Sequence, residues 1–312
     1  MNPSSTRRLR ANGLLLLASA IWGFAFVAQR VGADHIGAFT FNGLRFAMGA
    51  AVLVPVVWWL DGRRGLTPAA RRAATRAVVV PGLISGTLLA AAVGLQQVAM
   101  SSTTAGNAAF ITGLYMVFVP LVSVFRGHRS SVATVVGICF AVVGLYLISV
   151  TDGLTMGFGD LLVLVSAFIW TAQILVIERY ARSLSALRFS ISQFLWCAVL
   201  SCLAALVLDP APFTGVGYAL VPLLYGGLIS VGIAYTLQVI GQRDALATHA
   251  ALIMSCEAVF GALGGALILG ENMGLRGYSG AAFMVVGIVV AQLAAAPPTR
   301  ATPEAELTHA PH

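Results

Sequence analysis

Residues 11–29, ANGLLLLASAIWGFAFVAQ, carry no charged side chain and are the first of ten long apolar stretches whose recurrence decides the fold. A helix needs about 20 such residues to cross a hydrocarbon core roughly 30 Å thick. Only short polar linkers separate the stretches, which indicates a chain that crosses a membrane repeatedly. The ten predicted spans cover approximately residues 11–29, 39–60, 77–100, 105–125, 132–150, 161–177, 189–208, 216–241, 249–270 and 277–293.

The composition favours the same fold class. Hydrophobic residues make up 59% of the 312 residues, charged residues 9%, and the mean hydropathy is +0.91. A soluble protein of this size could not bury so much apolar surface. Because lipid offers no partners to backbone N–H and C=O groups, and barrel strands would be shorter with alternating polarity, the spans are predicted to be helices. The predicted fold class is an all-α integral membrane protein with ten transmembrane helices.

Arginine is distributed unequally over the connecting segments. With the N-terminus inside, fifteen arginines lie in inner segments and only Arg30 and Arg276 in outer ones. This bias predicts that both termini are cytoplasmic, in the cell membrane, as in a bacterial inner membrane. Anionic lipid headgroups account for the net charge of +7, and no basic segment carries the aromatic platform of a nucleic-acid site. We therefore expect the lipid bilayer, and no nucleic acid, as a partner.

The second half of the chain repeats the first. A shift of 148 residues places Trp22 on Trp170, and a shift of 143 places the glycine heptad Gly137–Gly144 on Gly280–Gly287. Such matches follow one another in chain order across five helix pairs. Because five is an odd number, the second copy must enter the membrane from the opposite side. We predict two inverted five-helix repeats, over residues 11–150 and 158–293, with a site near the bilayer midplane between them.

The Ala-, Pro- and Thr-rich residues 294–312 contain no run of membrane length. They are predicted to form a disordered cytoplasmic tail.

Three motifs carry a resemblance to a known family. They are Leu44-Arg45-Phe46, the run Thr104–Ala109, and the run Glu257-Ala258-Val259-Phe260-Gly261 that continues to Glu271. On these motifs the chain resembles the drug/metabolite transporter (DMT) superfamily, specifically its ten-helix EamA-type permeases, over nearly all of residues 11–293. The resemblance implies a permease, often an exporter of amino acids or related small metabolites. Proline often follows the glutamate in that family, whereas this chain has Ala258, so a kink at that point stays open.

Two ionisable residues lie inside predicted spans. Glu257 is roughly 12 Å deep in span nine, near the midplane, where ionisable groups usually face a cavity or a partner. It is either a protonatable group that couples transport to protons, or a counter-charge for a substrate amine, or a protonated acid that holds helices together. Arg45 either packs or snorkels to the outer interface, or it clamps a substrate carboxylate. A vertical separation of about 12 Å predicts no direct pairing of Arg45 with Glu257.

Further polar and aromatic residues complete the predicted site. Asn107 and Tyr115 in span four, and His249 and Glu257 in span nine, are spaced eight residues apart and so share one helix face. Helix caps and interfacial anchors are the alternative roles for His249 and the tryptophans, and Trp58-Trp59 are predicted anchors. Aromatic walls with few polar groups suit a small organic molecule. The remaining candidates form two repeat-related pairs and one neighbour: Trp22 with Trp170, Gln96 with Gln238, and Tyr235.

These features favour a secondary active transporter, a small-molecule permease that works by alternating access. The family resemblance implies an exporter, and Glu257 suggests coupling to protons. The alternatives are a membrane-embedded enzyme and a non-transporting receptor or scaffold. We predict no enzyme, no cofactor and no metal site, because the sequence contains no visible nucleophile and base, metal-ligand spacing or Walker A motif. The GxxxG pairs at Gly82 and Gly261 favour close packing within the chain, with a homodimer as the alternative.

Overall fold

The structure is a computed structural model that describes residues 3–103, 108, 111–127, 131–149, 157–268, 270 and 274–293. Its described residues contain helices and no β-strand. We number the helical segments α1 to α10 in chain order. They are α1 Pro3–Ala33, α2 Ala38–Arg63, α3 Pro68–Ala99, α4 Ile111–Phe125, α5 Val132–Ser149, α6 Phe158–Ala181, α7 Ala186–Leu208, α8 Leu220–Gly241, α9 Ala247–Ile268 and α10 Gly274–Leu293.

Length and composition suit these helices to a membrane. Within the described residues, eight helices are long and apolar enough to cross a bilayer, while α4 and α5 carry shorter apolar runs. The prediction of an all-α, multi-pass membrane protein is therefore confirmed. The predicted tail, residues 294–312, lies outside the described residues.

Side chains cap the N-terminal ends of α3 and α9. Thr67 accepts a hydrogen bond from the backbone N–H of Ala70 at 3.2 Å, and Pro68 follows at the first helical position of α3. Glu178, on α6, accepts the N–H of Ala247 at 2.8 Å and so caps α9. These bonds satisfy N–H groups that have no partner within their own helix.

Small residues let the helices pack closely. A Cβ added at Gly137 would lie 2.4 Å from the carbonyl oxygen of Gly287, and one added at Gly144 would lie 2.5 Å from that of Gly280. The two glycine heptads therefore pack directly on each other where α5 meets α10. Gly82 approaches Ser192 on α7 in the same way, so this GxxxG pair packs inside the chain.

The helix pairings form a regular pattern. α2 packs along α7, and α5 along α10. α3 packs against both α6 and α7, while α8 packs against both α1 and α2. These contacts surround a central space to which α4 and α9 also contribute residues.

Candidate functional site

A central cavity of about 40 Å³ lies among seven helices. By this measure a water molecule needs about 10–15 Å³, so the cavity has room for a few waters. The residues that line it are mostly aromatic and polar, as in sites for small organic molecules. They are Trp22, Phe26, Gln29, Arg45, Val93, Gln96, Thr112, Tyr115, Trp170, Ile174, Ser230, Tyr235, Gln238, Met254 and Glu257.

Most of the residues predicted from the sequence meet at this cavity. Eight of the ten line it: Trp22, Arg45, Gln96, Tyr115, Trp170, Tyr235, Gln238 and Glu257. His249 lies in the first turn of α9 and is not among the lining residues. Asn107 lies outside the described residues. The cavity shows that the eight are neighbours, and their binding role stays a prediction.

Two helices are interrupted beside the cavity. In α9 a first segment ends at Met254 and a second begins at Glu257, across a turn at Ser255 and Cys256. In α4 the helix is interrupted at Leu114 and continues from Tyr115. The break in α9 occurs without a proline, since residue 258 is alanine. Its turn is held by short-range hydrogen bonds instead, including Ser255 Oγ to the carbonyl of Leu252 at 2.7 Å.

The two residues that restart these helices contact each other. The hydroxyl of Tyr115 donates to Oε1 of Glu257 at 3.0 Å, and both side chains are buried. The position of Glu257 at the start of a helical segment also places its carboxyl group near the positive end of that segment's dipole. The interrupted helices thus bring a carboxyl group and a phenol together at the cavity wall.

α8 has an unusual conformation beside the same cavity. Residues Tyr225–Tyr235 form a π-helix of 11 residues, and Ser230 and Tyr235 within it line the cavity. π-helical turns are rare and occur frequently at functional sites. The wide turn packs on α2, where a Cβ at Gly49 would lie 2.3 Å from the side chain of Val231.

Tyr235 is the centre of an aromatic cluster. Its ring centroid lies 4.7 Å from that of Trp22 and 6.1 Å from that of Trp170. Phe46 and Phe194 complete the cluster at 5.8 and 6.0 Å. These separations are typical of favourable aromatic pairs, so the five rings pack together beside the cavity.

A chain of amide groups crosses from α6 to α1. The indole N–H of Trp170 donates to Gln96 Oε1 at 3.2 Å, and Gln96 Nε2 donates to Gln29 Oε1 at 3.4 Å. Gln29 was not predicted, although it follows Trp22 by seven residues and so shares its helix face. Thr112 was also missed, and its position three residues before Tyr115 carries the same signal. No sequence signal identifies Ser230.

Four buried polar atoms at the cavity have no hydrogen-bond partner among the residues that the structure describes. They are Trp22 Nε1, Arg45 Nε, Thr112 Oγ1 and Gln238 Oε1. A buried polar group without a partner costs roughly 1–3 kcal/mol, and in native proteins most buried polar groups are hydrogen-bonded to protein or to ordered water. The cavity wall therefore offers hydrogen-bond donors and acceptors to a polar guest.

Arg45 lies inside the bundle. It is 2% exposed, and its guanidinium carbon lies 5.1 Å from the ring centroid of Phe46 and 5.3 Å from that of Phe41. The side chain packs on these rings at the cavity and does not snorkel to the membrane boundary. Among the described residues no salt bridge includes Arg45, so it forms none with Glu257.

The described residues contain no cluster of three His, Cys, Asp or Glu side chains that could hold a metal ion.

Comparisons with known proteins match nearly the whole chain. The model of the EamA-like transporter family matches residues 9–150 and, a second time, residues 157–292. An uncharacterized transporter of Archaeoglobus fulgidus is 27% identical over 289 residues, which span 92% of this chain and 87% of the relative. An uncharacterized transporter of Bacillus subtilis, YoaV, is 21% identical over 280 residues, 88% of this chain and 94% of the relative.

A solved crystal structure has a similar fold. It aligns with a TM-score of 0.75 at 21% sequence identity, covering 91% of this chain and 99% of the other chain.

Proposed function

Because the chain belongs to the EamA-like transporter family, we propose that this multi-pass membrane transporter is a secondary active permease that exports amino acids or related small organic compounds. The observation that carries the proposal is the Tyr115–Glu257 contact at two interrupted helices beside the cavity. In secondary transporters, interrupted helices at corresponding positions of two halves mark the substrate site.

The chemistry of the cavity favours a zwitterion. Glu257 can face a substrate ammonium group, which the rings of Trp22 and Tyr235 can also attract through their π faces. Arg45 can face a carboxylate, since its Nε has no hydrogen-bond partner in the described part of the chain. Because Arg45 and Glu257 line one cavity without pairing, both charges remain for a substrate. Substrate binding at Gln96, Trp170 and Gln238 belongs to the same proposal, as does a supporting role for His249 and Asn107.

We place the site between two inverted repeats, residues 11–150 and 158–293. Exchanging the halves maps the α2–α7 and α5–α10 pairs onto themselves, and it maps the α3–α6 pair onto α8–α1. Tyr115 and Glu257 are 142 residues apart, the same offset that relates Gln96 to Gln238. The two separate family matches also support the division. The proposed topology also includes cytoplasmic termini and a location in a bacterial inner membrane. The homodimer stays a prediction.

Movement is part of the proposal. A cavity of about 40 Å³ cannot hold an amino acid, so the surrounding helices must separate for substrate to enter. The turns at Leu114 and at Ser255–Cys256 are points where α4 and α9 can bend. Alternating access would open the cavity first to one side and then to the other, with protonation of Glu257 as the coupling event.

Transport into proteoliposomes tests the coupling role. A panel of amino acids is supplied with and without a pH gradient, and Glu257→Gln is compared with Tyr115→Phe. Glu257→Gln keeps the shape and removes titration, so it should abolish gradient-driven accumulation while substrate binding stays measurable. Tyr115→Phe is the comparison variant, because it removes the hydrogen bond to Glu257 but leaves the carboxyl group. If Glu257→Gln still concentrates substrate with the wild-type pH dependence, Glu257 is a structural acid and the coupling proposal is wrong.

A further inference from the structure

A second pocket lies at the end of the bundle where α2 ends and α7 begins. Its volume is about 250 Å³, and its polar lining consists of Asp61, Arg64, Ser185, Arg188 and Arg243. Three arginines and one aspartate give the lining a formal charge of 3 − 1 = +2. Such a pocket attracts anions.

The arginines keep hydrogen-bond donors for a guest. Arg188 donates through one Nη2 hydrogen to Asp61 at 2.6 Å. Arg243 donates from Nε to the carbonyl of Ala181 at 2.7 Å and from Nη2 to the carbonyl of Leu184. Each guanidinium group has five N–H donors in a fork that fits phosphate oxygens. The bonds above use one donor of Arg188 and two donors of Arg243. Both groups are thus held in place with donors left over.

The start of α7 adds to the positive potential. Ser185 is its N-cap residue and makes no side-chain cap hydrogen bond. The first N–H groups of a helix have no partner within the helix, and the dipole favours an anion there. α7 is 23 residues long, so its dipole is fully developed.

Two exposed tryptophans indicate that the pocket lies at the level of lipid headgroups. Trp58 and Trp59, which lie within one turn before Asp61 on α2, are 75% and 56% exposed. Exposed tryptophans of a membrane helix mark the boundary between hydrocarbon and headgroups. Arginine-lined pockets between helices at this level bind lipid head groups.

We propose that this pocket binds a phosphate group, and the tryptophan level favours the headgroup of an anionic phospholipid over free phosphate as its source. The proposal concerns a site outside the central cavity and does not depend on the transported substrate. Arg64 is the contact to test, since it is exposed at the mouth of the pocket. Arg63 is the matched control, because it directly precedes Arg64 and does not line the pocket. Its guanidinium carbon lies 4.2 Å from the ring centroid of Trp59 instead.

Lipid binding to the delipidated full-length protein in a neutral detergent provides the experiment. Native mass spectrometry follows a short-chain phosphatidylglycerol and a phosphatidylcholine with the same chains. We expect saturable binding that favours phosphatidylglycerol, weakened about two- to fivefold by Arg64→Gln, the range of an exposed ion pair, and unchanged by Arg63→Gln.

Inorganic phosphate forms the second arm. If phosphate alone competes with phosphatidylglycerol and Arg64→Gln weakens that competition, the pocket is a phosphate site that free phosphate can also fill. If phosphate does not compete, the lipid is the source. Equal binding of the two lipids, no binding of either, or equal weakening by Arg63→Gln and Arg64→Gln would overturn the proposal, since each means that no phosphate site is built at this pocket.

Discussion

The Asp61–Arg188 ion pair provides a quantitative test of the packing between α2 and α7. Its nitrogen and oxygen atoms are 2.6 Å apart, and the side chains are only 6% and 9% exposed. Removing one partner of a buried pair costs roughly 3–5 kcal/mol, because the other charge stays buried and unpaired. Asp61→Asn still offers Arg188 an amide oxygen, so we expect the lower end, a loss of about 3 kcal/mol.

The reverse substitution should cost less. Arg188→Gln leaves Asp61 with a second cation, since Nε of Arg71 lies 3.9 Å from its Oδ2. We therefore expect a loss of about 2 kcal/mol. In the double variant Asp61→Asn with Arg188→Gln no charge is left buried alone, so its loss should be smaller than that of Asp61→Asn.

Thermal unfolding by circular dichroism in a neutral detergent measures these effects. A loss of about 3 kcal/mol corresponds to a Tm lower by about 4–5 °C for a chain of 312 residues. Asp34→Asn is the matched control, because the Arg30–Asp34 pair is solvent-exposed and screened, and its loss should be below about 0.5 kcal/mol. The reasoning is refuted if Asp61→Asn lowers the Tm no more than Asp34→Asn does, or if the double variant loses the sum of the two single losses.

Three further predictions address the cavity, the packing and the orientation. Trp22→Phe should weaken substrate binding about fivefold, by loss of one hydrogen bond, because the indole N–H has no hydrogen-bond partner among the described residues and is left for a substrate; calorimetry that shows equal affinity would exclude this contact. Gly137→Ala should lower the free energy of unfolding by about 1–3 kcal/mol, since its Cβ would lie 2.4 Å from a carbonyl oxygen of α10. Gly13→Ala is the control, because a Cβ there meets open space. Equal Tm values for the two variants would contradict the packing. A reporter fused after Arg72 should be cytoplasmic and one near Asp152 external, and the opposite result at both sites would reverse the proposed topology.

In α9 the sequence motif predicted the family and the site, but it did not predict the break in the helix. The motif from Glu257 onward indicated both the family and a polar site at mid-membrane depth. Whether the helix was interrupted there could not be decided, because Ala258 lacks the usual proline signal. The break coincides with a hydrogen bond from Ser255 to Leu252 and with the contact between Glu257 and Tyr115, which is 142 residues away in the chain.

Helix ends show a different limit. The span predicted from residue 77 belongs to α3, which begins at Pro68, and the span predicted from residue 11 belongs to α1, which begins at Pro3. Apolar patterning reports only the part of a helix that suits hydrocarbon. The arginine-rich turns beyond it remain helical because the backbone hydrogen bonds continue into the polar region.

The sequence by itself determined the membrane class, the helical fold and the family, because in lipid every backbone polar group must be satisfied locally and a span's composition suffices to show it. It also indicated eight of the residues that meet at the cavity. The tertiary structure alone decided which of them touch. The Tyr115–Glu257 bond, the amide chain through Gln29 and the Asp61–Arg188 pair each join distant helices, and their formation depends on the register at which helices pack, which no local pattern encodes.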